Sequence, residues 1–220
     1  MLSYKHGFHA GNHADVLKHI VLIYLYKKAK KHNKSISYIE THSGNGLYKY
    51  VSKYMDKNKE YKSGIKKIEK YEGNNRLIID YLKIIKKITK TNNFYPGSPL
   101  LVSNISNASD KLYFCELHSN EFKRLKINLS KYTNIKTLNI NGFEYIDKKI
   151  NNKNSCFILV DPSYEIKEDF NEIDNILNNL EKFYEKSKII IWYPILNFQE
   201  NDLHIDKIRK KGIKNLINIE

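Results

Sequence analysis

Cysteine is nearly absent: Cys115 and Cys156 are the only two in 220 residues. Each sits in a strand-like apolar run, and no CxxC spacing occurs. That excludes a disulfide framework or a thiolate zinc site and predicts buried free thiols in a reducing compartment. Long apolar runs are missing too. Ile20 to Tyr26 falls far short of the roughly 20 residues a spanning helix needs. The opening residues Met1 to His6 lack the apolar stretch of a signal peptide. A cytoplasmic protein with no membrane partner is expected. No Gly-Lys-Ser/Thr follows a glycine loop, which excludes a phosphate-cradling P-loop, and no Gly-x-Ser-x-Gly elbow of a serine hydrolase occurs. Acidic residues are few: 24 against 38 Lys plus Arg, for a net charge of +14. Such a balance favours a polyanionic partner such as nucleic acid.

What is present reads as an α/β domain. The stripe Val16, Leu17, Ile20, Val21, Tyr24 and Leu25 predicts a helix from about Asn12 to Lys31, capped by Asn12 or Asp15. Ser35 to Glu40 predicts a strand running into the turn Thr41 to Gly46. Residues 57–108 break the rhythm. Ile65, Ile68, Leu77, Ile78, Tyr81, Leu82, Ile85 and Ile88 mark helices with no strand between them. A stiff loop, Tyr95-Pro96-Gly97-Ser98-Pro99, closes this insertion. Strands then alternate with helices: Leu112 to Glu116, Ile135 to Ile140, Cys156 to Val160, Lys188 to Tyr193 and Ile213 to Ile219. The helices between them cover Glu121 to Ser130, a short stretch from Phe143, 168–186 and Asp202 to Lys211. This alternation predicts a parallel sheet.

Ligands of such a sheet sit at the C-terminal tips of its strands. Gly44 and Gly46 let the backbone approach a ligand closely. Glu116 ends its strand where a carboxylate accepts hydrogen bonds from ribose hydroxyls. Asp161-Pro162-Ser163-Tyr164 ends the apolar run Cys156 to Val160. There a carboxylate, a carbonyl and an aromatic face converge, as gripping an amino-bearing ring requires. The strand ending at Asp161 is expected beside the first strand, across the point where strand order reverses. The segment Tyr4 to His13 is dense in His, Gly and aromatic residues. It reads as an arm for unpaired bases, and His9 and His13 lack the spacing of a metal site.

Several blocks carry a resemblance: Met1 to His6, Phe8 to His19, Thr41-His42 with Gly44 and Gly46, Tyr95 to Pro99, Glu116-Leu117-His118, Gly142-Phe143, Asp161-Pro162-x-Tyr164 and Trp192-Tyr193-Pro194. In this order they resemble the bacterial large-subunit ribosomal RNA adenine-N6 methyltransferase J family over nearly the whole chain. The resemblance implies a Rossmann-like class I methyltransferase fold. Residues 1–56 and 109–220 would form the core and 57–108 a helical insertion. It implies S-adenosylmethionine as cofactor, contacted by His19, His42, Gly44, Ser98, Glu116, Asn141 and Gly142. Asp161, with Pro162 and Tyr164, would be catalytic. Tyr4, His6 and Lys18 would lie on the side of the ribosomal RNA partner. A monomer without metal is expected.

The chain departs from the family at Ser163, where a second proline is usual, and at Asn141, where an aspartate is usual. The family pattern runs past Glu220, so the sheet is expected to lack its final strand or strands. Two alternatives remain open from sequence: a DNA adenine-N6 methyltransferase, and a catalytically impaired RNA-binding remnant.

Overall fold

The computed structural model describes residues 6–50, 58–91, 93–150, 156–165, 167–179, 187–193 and 217. Among the described residues, five parallel strands form the main sheet: β1 (Ser37–Glu40), β4 (Lys111–Cys115), β5 (Ile135–Leu138), β6 (Cys156–Val160) and β7 (Lys188–Ile191). Their spatial order is β5-β4-β1-β6-β7. The expected neighbour relation holds, since β1 pairs with β4 on one side and β6 on the other. Strand order therefore reverses at β1, the kind of point outside which open α/β sheets bind their ligands.

Alternation along the strands sends side chains to two cores. Tyr38, Phe114, Phe157 and Leu159 pack with α1 (His13–His32) on one face. Ile39, Ile158 and Val160 meet α6 (Gly142–Ile150) and α7 (Lys167–Asn179) on the other. Every residue of β6 is buried, as a continuous apolar run at the centre of a parallel sheet requires. Asn12 is the helix cap of α1, its side chain accepting the Asp15 N–H at 2.9 Å. Cys115 and Cys156 are free and buried.

The insertion holds a short 3-10 turn, Glu60–Lys62, followed by α2 (Ile65–Ile68) and α3 (Arg76–Ile88). Its Ile65, Tyr81 and Ile85 share a second core cluster with Ala10, Val16 and Ile23 of the N-terminal part and with Tyr48 and Tyr50. Two features differ from expectation. Leu47–Lys49 (β2) and Phe94–Pro96 (β3) form an antiparallel ribbon, so a strand lies where only helices and a loop were predicted. The Pro-rich loop also starts a helix, α4 (Ser98–Ile105), with Pro99 in its first turn. Proline suits that place because the first N–H groups of a helix have no partner within it. Leu100 and Val102 of α4 pack in the sheet core and Leu101 in the second cluster. The helix after β4 is α5 (Ser119–Asn128). The predicted helix Asp202 to Lys211 and strand Ile213 to Ile219 lie outside the described residues, apart from residue 217.

Candidate active site

The tips of β1, β4 and β6 meet in one place because their registers run in parallel. Thr41 N–H donates to Leu159 O at 3.1 Å and Ser43 N–H to Cys115 O at 2.9 Å. The turn after β1 is thus stitched to both neighbours. Gly44 and Gly46 adopt φ of 58° and 76°, the left-handed region that favours glycine.

Gly44 N–H donates to the Glu116 carboxylate at 2.8 Å, and His118 N–H donates to its other oxygen at 2.7 Å. Burial, only partly offset by these two donors, raises the carboxyl pKa of Glu116 above its usual range. Each oxygen keeps a second lone pair for a ligand hydroxyl. The neighbouring Ser43 hydroxyl is buried and has no hydrogen-bond partner among the described residues. Asn141 caps α6 by accepting Phe143 N–H at 2.9 Å. Gly142 presses against β1: a Cβ there would stand 2.2 Å from Thr41 O. Only glycine brings the N-terminus of α6 so close to the turn.

His42 packs its ring edge-on to Phe143, with centroids 4.9 Å apart, and its Nδ1 lies 2.8 Å from Thr41 Oγ1. Burial lowers its pKa to about 4, against the pull of Asp161, so the imidazole is neutral at pH 7. His19 is buried, with Nδ1 2.8 Å from Tyr95 OH, which lies 3.0 Å from Tyr81 OH.

Asp161 follows β6 directly. Lys18 Nζ donates to its Oδ2 at 2.6 Å and also pairs with Asp15 at 2.9 Å. The Lys18 side chain is 3% exposed and that of Asp161 15%. Lys18, expected on the RNA side, therefore reaches the candidate catalytic carboxylate from within α1. Burial alone would lower the Lys18 pKa, but the two carboxylates overcome it and raise it, so the amine stays charged. Asp15 in turn accepts Gly11 N–H at 3.0 Å, tying the pair to the N-terminal segment.

Pro162 is buried. Tyr164 holds φ of 56°, uncommon outside glycine. Asp169 of α7 accepts its N–H at 2.9 Å, its phenol donates to Trp192 O at 2.7 Å, and its ring lies 4.9 Å from Phe170. Trp192 N–H donates back to Val160 O at 2.9 Å. Ser163 replaces ring rigidity with a long 3.4 Å contact to Asp169. His6 opens a 3-10 turn, His6–Phe8, and Tyr4 lies outside the described residues.

Sequence reasoning passed over Glu40. It ends β1 fully buried, with Ser98 Oγ 2.5 Å from Oε1 and Tyr38 OH 2.9 Å from Oε2. The signal was an acid closing the run Ser35 to Glu40, directly before the glycine turn. Among the described residues, no group of three or more His, Cys, Asp or Glu is arranged to hold a metal ion, and no helix is long and apolar enough to cross a membrane.

The donor set suits a nucleoside carrying a cation: a carboxylate for a diol, a free hydroxyl, a glycine turn and two further acids. Comparison with known proteins shows which family the chain resembles. The family model described as Ribosomal RNA large subunit methyltransferase D, RlmJ, matches residues 33–220. The whole chain is 34% identical to Ribosomal RNA large subunit methyltransferase J of Haemophilus influenzae, spanning 80% of it. It is 30% identical to the Escherichia coli protein of that name, again over 80% of its length. A crystal structure of a Legionella pneumophila protein superposes with a TM-score of 0.80 at 34% identity, covering 92% of this chain and 76% of that one. The chain belongs to the ribosomal RNA large-subunit methyltransferase J family.

Proposed function

We propose that this protein transfers a methyl group from S-adenosylmethionine to the N6 amino group of an adenine in large-subunit ribosomal RNA. The observation that carries the reading is Asp161, held by Lys18 at a strand tip beside the glycine turn. When bound, S-adenosylmethionine supplies an electrophilic methyl group on a sulfonium. Glu116, Ser43 and Gly44 suit its ribose side. Ser98, His19, His42, Asn141 and Gly142 line the remainder.

An adenine amino nitrogen is a poor nucleophile because its lone pair is delocalised into the ring. Lys18 occupies Asp161 Oδ2, which leaves Oδ1 to accept one amino N–H. The carbonyl of Pro162 accepts the other. Holding both hydrogens favours a pyramidal nitrogen whose lone pair points at the methyl group. Most of the gain is positional and electrostatic. Asp161 then takes the proton that leaves, and Lys18 holds that carboxylate in place. The neutral imidazole of His42 adds no repulsion toward a cationic partner. Tyr164, fixed through Trp192, stacks on a base swung out of the RNA. His6 and Tyr4 meet the flanking RNA, and lysines hold its phosphates. Buried thiols at Cys115 and Cys156 suit the cytoplasm.

The test is Asp161→Ala, assayed by methyl incorporation into protein-free large-subunit RNA. Loss of about two powers of ten or more is expected. Full activity would overturn the assignment. Transfer to DNA in preference to RNA by the unaltered protein would replace RNA as the substrate.

A further inference from the structure

Glu40 is a carboxylate without a counter-ion. It is 0% exposed, and among the described residues no ion pair includes it. The groups around it come from five places. Tyr38 on β1 and Ser98 on α4 contact its two oxygens. Lys18 on α1 attracts the charge, but its amine is committed to Asp15 and Asp161. Asp161 beyond β6 repels it, and the Cys115 thiol on β4 lies within its field. A buried acid with one like charge nearby and no cation of its own is costly to ionise.

We propose that cofactor binding at these strand tips is proton-linked: Glu40 holds a proton in the free protein and releases it to solvent when a cationic cofactor occupies the site. The inference rests on the cofactor reading above. S-adenosylmethionine brings a sulfonium and an ammonium against one carboxylate, hence a net positive charge. Its arrival at the β1 tip supplies the missing counter-charge, and the proton leaves to the buffer. The free-state condition is met at neutral pH. Burial raises the Glu40 carboxyl to about 8, against the Ser98 and Tyr38 donors that favour its ionised form. The neutral His42 imidazole has no proton to release at pH 7.

The experiment is calorimetric titration of the whole protein with S-adenosylmethionine at pH 7, in phosphate and in Tris. These buffers differ widely in protonation enthalpy. Release of roughly half a proton or more per binding event is expected, with affinity rising toward about tenfold per pH unit below Glu40's free pKa. S-adenosylhomocysteine lacks the sulfonium charge and should release fewer protons. Glu40→Gln should abolish the buffer dependence. A buffer-independent heat in the unaltered protein, or the same release from Glu40→Gln, overturns the proposal. If Glu40→Gln fails to fold, Tyr38→Phe removes one donor to the ionised form and should move the pH midpoint of affinity upward. An unmoved midpoint again overturns it. Binding without proton release sinks this inference alone, whereas absence of any binding sinks the parent reading with it.

Discussion

Burial fixes the charge of His42, and the consequence is measurable in acid. The unfolded chain takes up this proton near pH 6.5, the folded one only near pH 4. Folded stability is therefore lost as pH falls through that window, by up to about 3 kcal/mol. Urea denaturation of the protein and of His42→Asn at pH 7 and pH 4.5 checks this. The gap between them should move in favour of the variant at the lower pH, and parallel behaviour would refute it. Lys18 shows how far one residue was legible in sequence. Its place in the N-terminal block marked it as functional, and the helix stripe predicted its element. Its partner is 143 positions away, and no local pattern encodes that distance. Glu40 was hidden for a similar reason: an acid at a strand end usually faces water, and only packing against Ser98 and Tyr38 shows otherwise.

At the scale of elements, the insertion grips the N-terminal segment. Glu60 lies 3.0 Å from His9 Nδ1 and accepts from Asn12 Nδ2 at 3.0 Å. Ile65 N–H donates to Gly11 O at 2.9 Å, and a Cβ on Gly64 would stand 2.2 Å from that same oxygen. Glu60→Ala should raise amide exchange over residues 6–12 several-fold. Its cost in stability should stay near or below about 1 kcal/mol, because the pair is half exposed. KM for RNA should rise while the cofactor Kd stays put. An equal loss in both would place the effect at the cofactor site instead. Helix α3 was readable because its apolar periodicity extends over several turns. Helix α1 was readable as a helix, but its predicted stripe is not its buried face: Leu17 and Tyr24 are exposed, while Leu22, Ile23, Tyr26 and Ala29 are buried, because apolar residues ring the helix and periodicity alone does not pick the side that packs. The β2–β3 ribbon was not, since three residues are too few to display alternation. In α4 the two prolines masked a helix start, which the preference of proline for the first turn would have revealed.

For the molecule as a whole, charge and topology act together. The parallel sheet was legible because strands and helices alternate from β4 onward, and of the strand order only the pairing of β6 with β1 was expected. The excess of 38 basic over 24 acidic residues should make RNA engagement strongly salt-dependent. If roughly four phosphates are neutralised, the logarithm of RNA affinity should fall with the logarithm of salt at a slope near −3. Filter binding between 50 and 300 mM KCl, on the order of cellular ionic strength, measures it. Cofactor affinity should change far less, and a flat RNA profile would argue against phosphate contacts.

Trp192 is the sole tryptophan of the chain, and its backbone clasps both the end of β6 and the phenol of Tyr164. Intrinsic emission excited at the indole band therefore comes from one place, the end of β7 beside the loop that presents Asp161. The protein carries its own reporter: a change in quantum yield on adding cofactor or RNA reads the ordering of that loop, with no label attached.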